Sequence, residues 1–100
     1  MILKTPRRRR PGASAGAGRR AAGQDAQLAQ IKRALAGMIV ERRRERKVTQ
    51  ARLARLLGSS QSRVSRLEAA DPAASLGLLV RALLATGATR RDIARAIEGR

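Results

Sequence analysis

Between Thr49 and Glu68 the chain passes through a short amphipathic segment, a glycine, a serine-rich turn and a second amphipathic segment. In the first segment Leu53, Ala54 and Leu57 fall on one helical face; in the second, Val64 and Leu67 lie a turn apart. Gly58 stands where a left-handed residue ends a helix, and Ser60 where a side-chain oxygen opens the next. Two helices packed across such a turn need a small residue at their crossing, a permissive backbone between them and apolar anchors on the outer helix. Ala54, Gly58 and the pair Val64 and Leu67 meet those needs in order. The pattern predicts helices over about 49–57 and 60–69, with Gln61, Ser62, Arg63 and Arg66 of the second facing solvent.

The remaining composition narrows what that pair of helices serves. One hundred residues allow one small domain. There are 23 Lys+Arg against 7 acids, a net charge of +16, so the partner is a polyanion: DNA, RNA or an anionic membrane surface. Phe, Tyr and Trp are absent, which counts against single-strand binders that stack bases on aromatic rings and against most all-β folds. Without Cys or His there is no zinc finger, thiol nucleophile or histidine acid–base pair, and the redox compartment stays open. No apolar run approaches the ~18 residues of a membrane span. No apolar segment follows the N-terminal arginines, so neither a secretory nor a twin-arginine signal is expected. An Arg-rich, acid-free start also fits an organellar transit peptide; the default expectation is a cytoplasmic, nucleoid-associated protein without a membrane partner or a cofactor.

Residues 1–24 carry seven positive charges, no acids, four glycines and two prolines, with Met1-Ile2-Leu3 as their one apolar cluster. Such a segment buries too little surface to offset its ordering entropy, and a disordered basic arm is expected there. The run Arg7 to Arg10 suits an arm that follows phosphates or enters a minor groove, and equally suits a solvated tail.

A helical domain is expected over residues 25–100. Asp25 is the candidate N-cap of a first helix whose stripe is Leu28, Ile31, Leu35 and Ile39, ending near Arg46 in a run of cations that the helix dipole favours. Thr49 caps the second helix. Beyond the Asp71-Pro72 loop, a fourth helix from Ser75 to about Thr86 is expected to bury Leu76, Leu79, Val80 and Leu83. Gly87 ends it, and Thr89 caps a fifth carrying Ile93 and Ile97. The sum is an all-α chain of five helices with short connections.

From about Leu35 to Leu84, and most densely over Thr49-Gln50 to Arg66-Leu67-Glu68, the chain resembles the Cro and phage-repressor helix-turn-helix regulators, the XRE family. The resemblance implies a compact, lambda-repressor-like five-helix domain that binds an inverted repeat in double-stranded DNA as a homodimer. The outer helix would lie in the major groove and read bases with its N-terminal half. Carried over, Gln61, Ser62 and Arg66 match base-reading positions, with Arg63 and Ser65 beside them, and Gln50 matches a residue that opens the inner helix and pins a phosphate. The family also places an arginine, here Arg43, against a glutamate, here Glu68, as scaffold.

The side-chain chemistry agrees. Arg forks onto guanine and Gln onto adenine, each worth ~1–3 kcal/mol of discrimination, which marks Gln61 and Arg66 as the specificity pair. Arg52 and Arg55, with Ser60, are expected at the phosphate backbone; a solvated helix face accounts for the two arginines equally well. Three departures stand out. Lys47 replaces the family's usual glycine, so the first turn is expected to be built differently. Ser59 replaces a common apolar residue, and the first helix starts early.

The leading expectation is a sequence-specific transcriptional regulator that represses by occupying its operator. A second is an antitoxin similar to the HigA-like group, which would also cover a toxin protein. A third is a non-specific basic nucleic-acid-binding protein. No paired carboxylates, metal set or nucleophile–base pair points to an enzyme. Leu78, Leu84 and Ile97, left over once a monomer core is filled, are the candidate dimer contacts.

Overall fold

The computed structural model describes residues 15–99, with side chains from residue 23 onward. Its elements are α1 (Ala15–Glu45), α2 (Gln50–Leu57), α3 (Gln61–Glu68), α4 (Leu76–Ala85) and α5 (Arg90–Glu98). No strand occurs among the described residues. Residues 1–14, which include Arg7 to Arg10 of the expected arm, lie outside them.

Helix α1 begins ten residues before Asp25, which sits exposed within it and caps nothing. The segment from Ala15 to Ala26 holds five alanines and no proline, and alanine is the best helix former; glycines at 16, 18 and 23 lower the propensity without breaking the run. Only the second half of α1 meets the core. Leu35 and Ile39 are fully buried with Ala36 beside them, whereas Ile31 is partly buried and Leu28 is 39% exposed.

Each later helix opens on a hydroxyl cap. Thr49, Ser60, Ser75 and Thr89 accept from the backbone N–H of Arg52, Arg63, Leu78 and Asp92, satisfying donors that the first turn leaves free. Asp92 returns the bond to the Thr89 N–H at 2.9 Å, closing a capping box.

The helix ends are equally regular. Gly58 (φ 63°) and Gly87 (φ 89°) take the left-handed conformation that ends α2 and α4. Lys47 (φ 57°) and Ala70 (φ 56°) take it after α1 and α3 without glycine's freedom. After α1, the N–H groups of Lys47 and Val48 donate to the carbonyls of Arg44 and Arg43; after α3, those of Ala70 and Asp71 donate to Leu67 and Arg66. These are the paired bonds of a Schellman ending. The first turn is therefore not built differently for want of glycine: Lys47 adopts the left-handed backbone itself.

Helix α1 is the spine, packing on α3, α4 and α5, while α2 packs on α3 and α4. The core between them is Leu35, Ile39, Leu53, Leu57, Val64, Leu67, Leu79, Leu83 and Ile93, filled in by alanines. On α4 the inward set is Leu79, Ala82 and Leu83, at the i, i+3, i+4 spacing of one face. Leu76, expected in the core, is its first residue and stays 39% exposed, and Val80 is only partly buried. Ile97, near the free end of α5, is also outside the core at 46% exposed.

Candidate nucleic-acid interface

Helix α3 is fixed by two apolar side chains and by Glu68 at its end, and its polar face is open. Val64 and Leu67 are buried against α1 and α2, and Gln61, Ser62, Arg63, Ser65 and Arg66 are all exposed. Gln50, at the first residue of α2, shares a shallow open depression with Gln61, Ser62, Ser65 and Arg66. Donors and acceptors from two helices thus converge on one surface. Arg63 and Arg66 also border a cleft against Asp71, Ser75 and Leu78.

The orientation of that surface is set by a three-residue knot. Arg43 on the last turn of α1 donates from Nε to Glu68 Oε2 at 2.5 Å and from Nη2 to Oε1 at 2.9 Å, the two-pronged geometry of guanidinium on carboxylate. Its Nη1 donates to the Val48 carbonyl at 3.1 Å, and Gln50 Nε2 donates to Glu68 Oε1 at 2.9 Å. One carboxylate therefore ties the end of α1, the turn after it, the start of α2 and the end of α3. Glu68 and Arg43 side chains are only 7% and 13% exposed. Burial pushes the Glu68 carboxyl up, but the hydrogen bonds from Arg43 and Gln50, with the charges of Arg43 and Arg44, outweigh it and hold the group below its ordinary value. The bond to Glu68 likewise raises Arg43, against the effect of burial.

The family resemblance implies one half of this knot, the pairing of Arg43 with Glu68. The Gln50 bond is not visible in the sequence, because its partner is 18 residues away. Two further ties were equally hidden. Lys32 Nζ donates to the Pro72 carbonyl at 3.0 Å, holding the loop after α3 against α1. Arg42, next to Arg43, points instead to α5 and pairs with Asp92 at 3.8 Å.

Arg52 and Arg55 are exposed on α2, and Ser60 lies between α2 and α3 with its hydroxyl proton free to donate. In the turn itself, Ser59 Oγ is buried without a hydrogen-bond partner. A hydroxyl has taken an apolar position there, and leaving such a group unsatisfied costs about 1–3 kcal/mol.

The sequence model of the helix-turn-helix family matches residues 39–95, more than half of the chain and all of α2, α3 and α4. The chain belongs to the Cro/C1-type helix-turn-helix (XRE) family. Comparison with the curated proteins and with the solved structures returned no match. As an XRE helix-turn-helix protein it is a DNA-binding regulator, and the family is not one of enzymes. Within the matched XRE stretch, the Arg43–Glu68–Gln50 knot braces α2 and α3. No helix among the described residues of this XRE domain is long and apolar enough to cross a membrane.

Proposed function

We propose that this XRE protein is a sequence-specific repressor that occupies an inverted-repeat operator as a homodimer, in the cytoplasm and at the nucleoid. The observation that carries the reading is the braced helix α3: five exposed polar side chains, backed by a buried ion pair and left uncovered among the described residues. With α3 in the major groove, Arg66 forks onto guanine and Gln61 onto adenine, while Ser62, Arg63 and Ser65 complete the base-facing surface. Gln50 spends one amide proton on Glu68 and keeps a second for a phosphate oxygen. The Ser60 hydroxyl and the Arg52 and Arg55 guanidinium groups add backbone contacts, which position the domain without reading sequence.

Two such domains on half-sites about 10 base pairs apart read a usable operator length. Leu84, 50% exposed, and Ile97 supply apolar surface for the pairing; Leu78 is partly buried against the core and contributes less. In the antitoxin alternative a toxin protein would cover this same surface.

Selection from a random duplex pool at about 150 mM salt tests the reading, because purely electrostatic binding is weakened there. The expected result is an enriched inverted repeat. Arg66→Ala should lose about 5- to 150-fold in preference at one base pair, the equivalent of ~1–3 kcal/mol, while keeping most low-salt affinity. Equal preference in variant and wild type would remove Arg66 from the base-reading set.

A further inference from the structure

Arginines also gather on a different flank of α1, around the α4–α5 turn. Arg46 lays its guanidinium over Gly87: a Cβ built there would stand 2.9–3.0 Å from Nη2, Cζ and Nη1. The missing side chain is what lets the group lie so close. Three residues on, α5 opens with Arg90 and Arg91, and Arg95 follows a turn later. All four are exposed. Among the described residues Arg46, Arg90 and Arg91 make no ion pair or side-chain hydrogen bond. The acid within this group, Asp92, is already engaged by the Thr89 cap and by Arg42, and it feels Arg95 through space. Glu41 lies toward the far end of α5, near Ala96 and Gly99.

The placement of Arg90 and Arg91 works against helix stability. Cations in a first turn oppose the helix dipole, and here two stand side by side with Asp92 as the one acid of that turn. A patch of unpaired guanidinium groups held at a local cost fits a polyanion. Without aromatic residues the chain cannot stack unpaired bases, so the matching polyanion is a duplex backbone. A second copy of the chain does not fit, since a two-fold contact would set these cations against themselves.

The patch is not part of the recognition surface. Arg43 and Arg42 are successive residues, about 100° apart around α1, and they face α3 and α5 respectively. We propose that Arg46, Arg90, Arg91 and Arg95 form a second DNA contact that takes the sugar–phosphate backbone of a separate duplex segment, so that a domain seated on its operator bridges two stretches of DNA. The inference rests on α3 being the operator-reading helix.

The test loads the full chain onto an immobilised duplex carrying the selected operator, then adds a labelled duplex of unrelated sequence at about 100 mM salt. Wild type should capture the second duplex. Arg90→Gln/Arg91→Gln should load normally and capture about tenfold less, with the salt slope of capture reduced by about 2 for two lost phosphate contacts. Thermal melting should show the variant no less stable than wild type, because it removes cations from a helix start. Failure of wild type to load would contradict the operator reading, not this one. Normal loading with equal capture by variant and wild type would overturn the bridge. So would a variant weakened only on a single long duplex with no capture by wild type, which would put the patch on the flank of the same DNA.

Discussion

Lys47 shows what a single backbone position costs. Its left-handed conformation is disfavoured for a residue with a Cβ by roughly 1–2 kcal/mol, and the Schellman bonds to Arg43 and Arg44 hold it there regardless. Lys47→Gly removes that strain and returns part of the gain as extra freedom in the unfolded chain. A net stabilisation of about 0.5–1 kcal/mol is expected, read as a rise in the urea midpoint of the far-ultraviolet circular dichroism signal. An unchanged or lower midpoint would mean that the lysine side chain contributes more than its backbone costs.

At the scale of elements, the knot on Glu68 decides how α2 and α3 sit on α1. Arg43→Met leaves a nearly buried carboxylate with only Gln50 and the distant charge of Arg44, a loss of about 3–5 kcal/mol. Replacing both, as Arg43→Met/Glu68→Leu, should cost less than the single change, because no buried charge is then stranded. Urea denaturation of the three proteins checks this, and simple additivity would show that the pair does not act as a unit.

These elements were legible in the sequence to very different degrees. The hydroxyl caps Thr49, Ser60 and Thr89, the Gly58 stop and the inward faces of α2 and α3 could be read because capping and periodicity are local. The start of α1 was misplaced because Asp25 looks like a cap, while a run of alanines carries the helix past it. Leu76 was assigned to the core by periodicity alone, which cannot tell that a helix end overhangs its neighbours. The surface around α3 was readable as exposed polar residues. Gln50's bond to Glu68 and Lys32's bond to Pro72 were not, since each joins residues brought together only by the fold.

For the whole molecule the titration of Glu68 fixes the direction of acid sensitivity. Its folded pKa lies below the unfolded value of about 4.3, so its contribution is fully present above that pH and is lost as pH falls through the folded value. Asp92 is lowered as well, chiefly by hydrogen bonds from Thr89, and acts in the same sense. The raised pKa of Arg43 lies too high to matter in this range. The melting temperature should therefore be level from neutral pH to about 5 and decline below about 4. A Glu68→Gln protein should start lower and decline less. A wild-type melting temperature that stays level to pH 3 would contradict this assignment.

The adjacency of Arg42 and Arg43 reaches further than the strength of either ion pair. One residue anchors the α3 side of the molecule and its neighbour anchors the α5 side, so both halves hang from the same helical turn. Fraying that turn releases both at once, and the domain has no seam along which one half could open alone. Amide protons in α2 and α5 should then exchange with solvent at closely matched free energies, as members of one cooperative unit. A clear gap between the two helices in a native-state exchange experiment would show that the turn is not their common anchor.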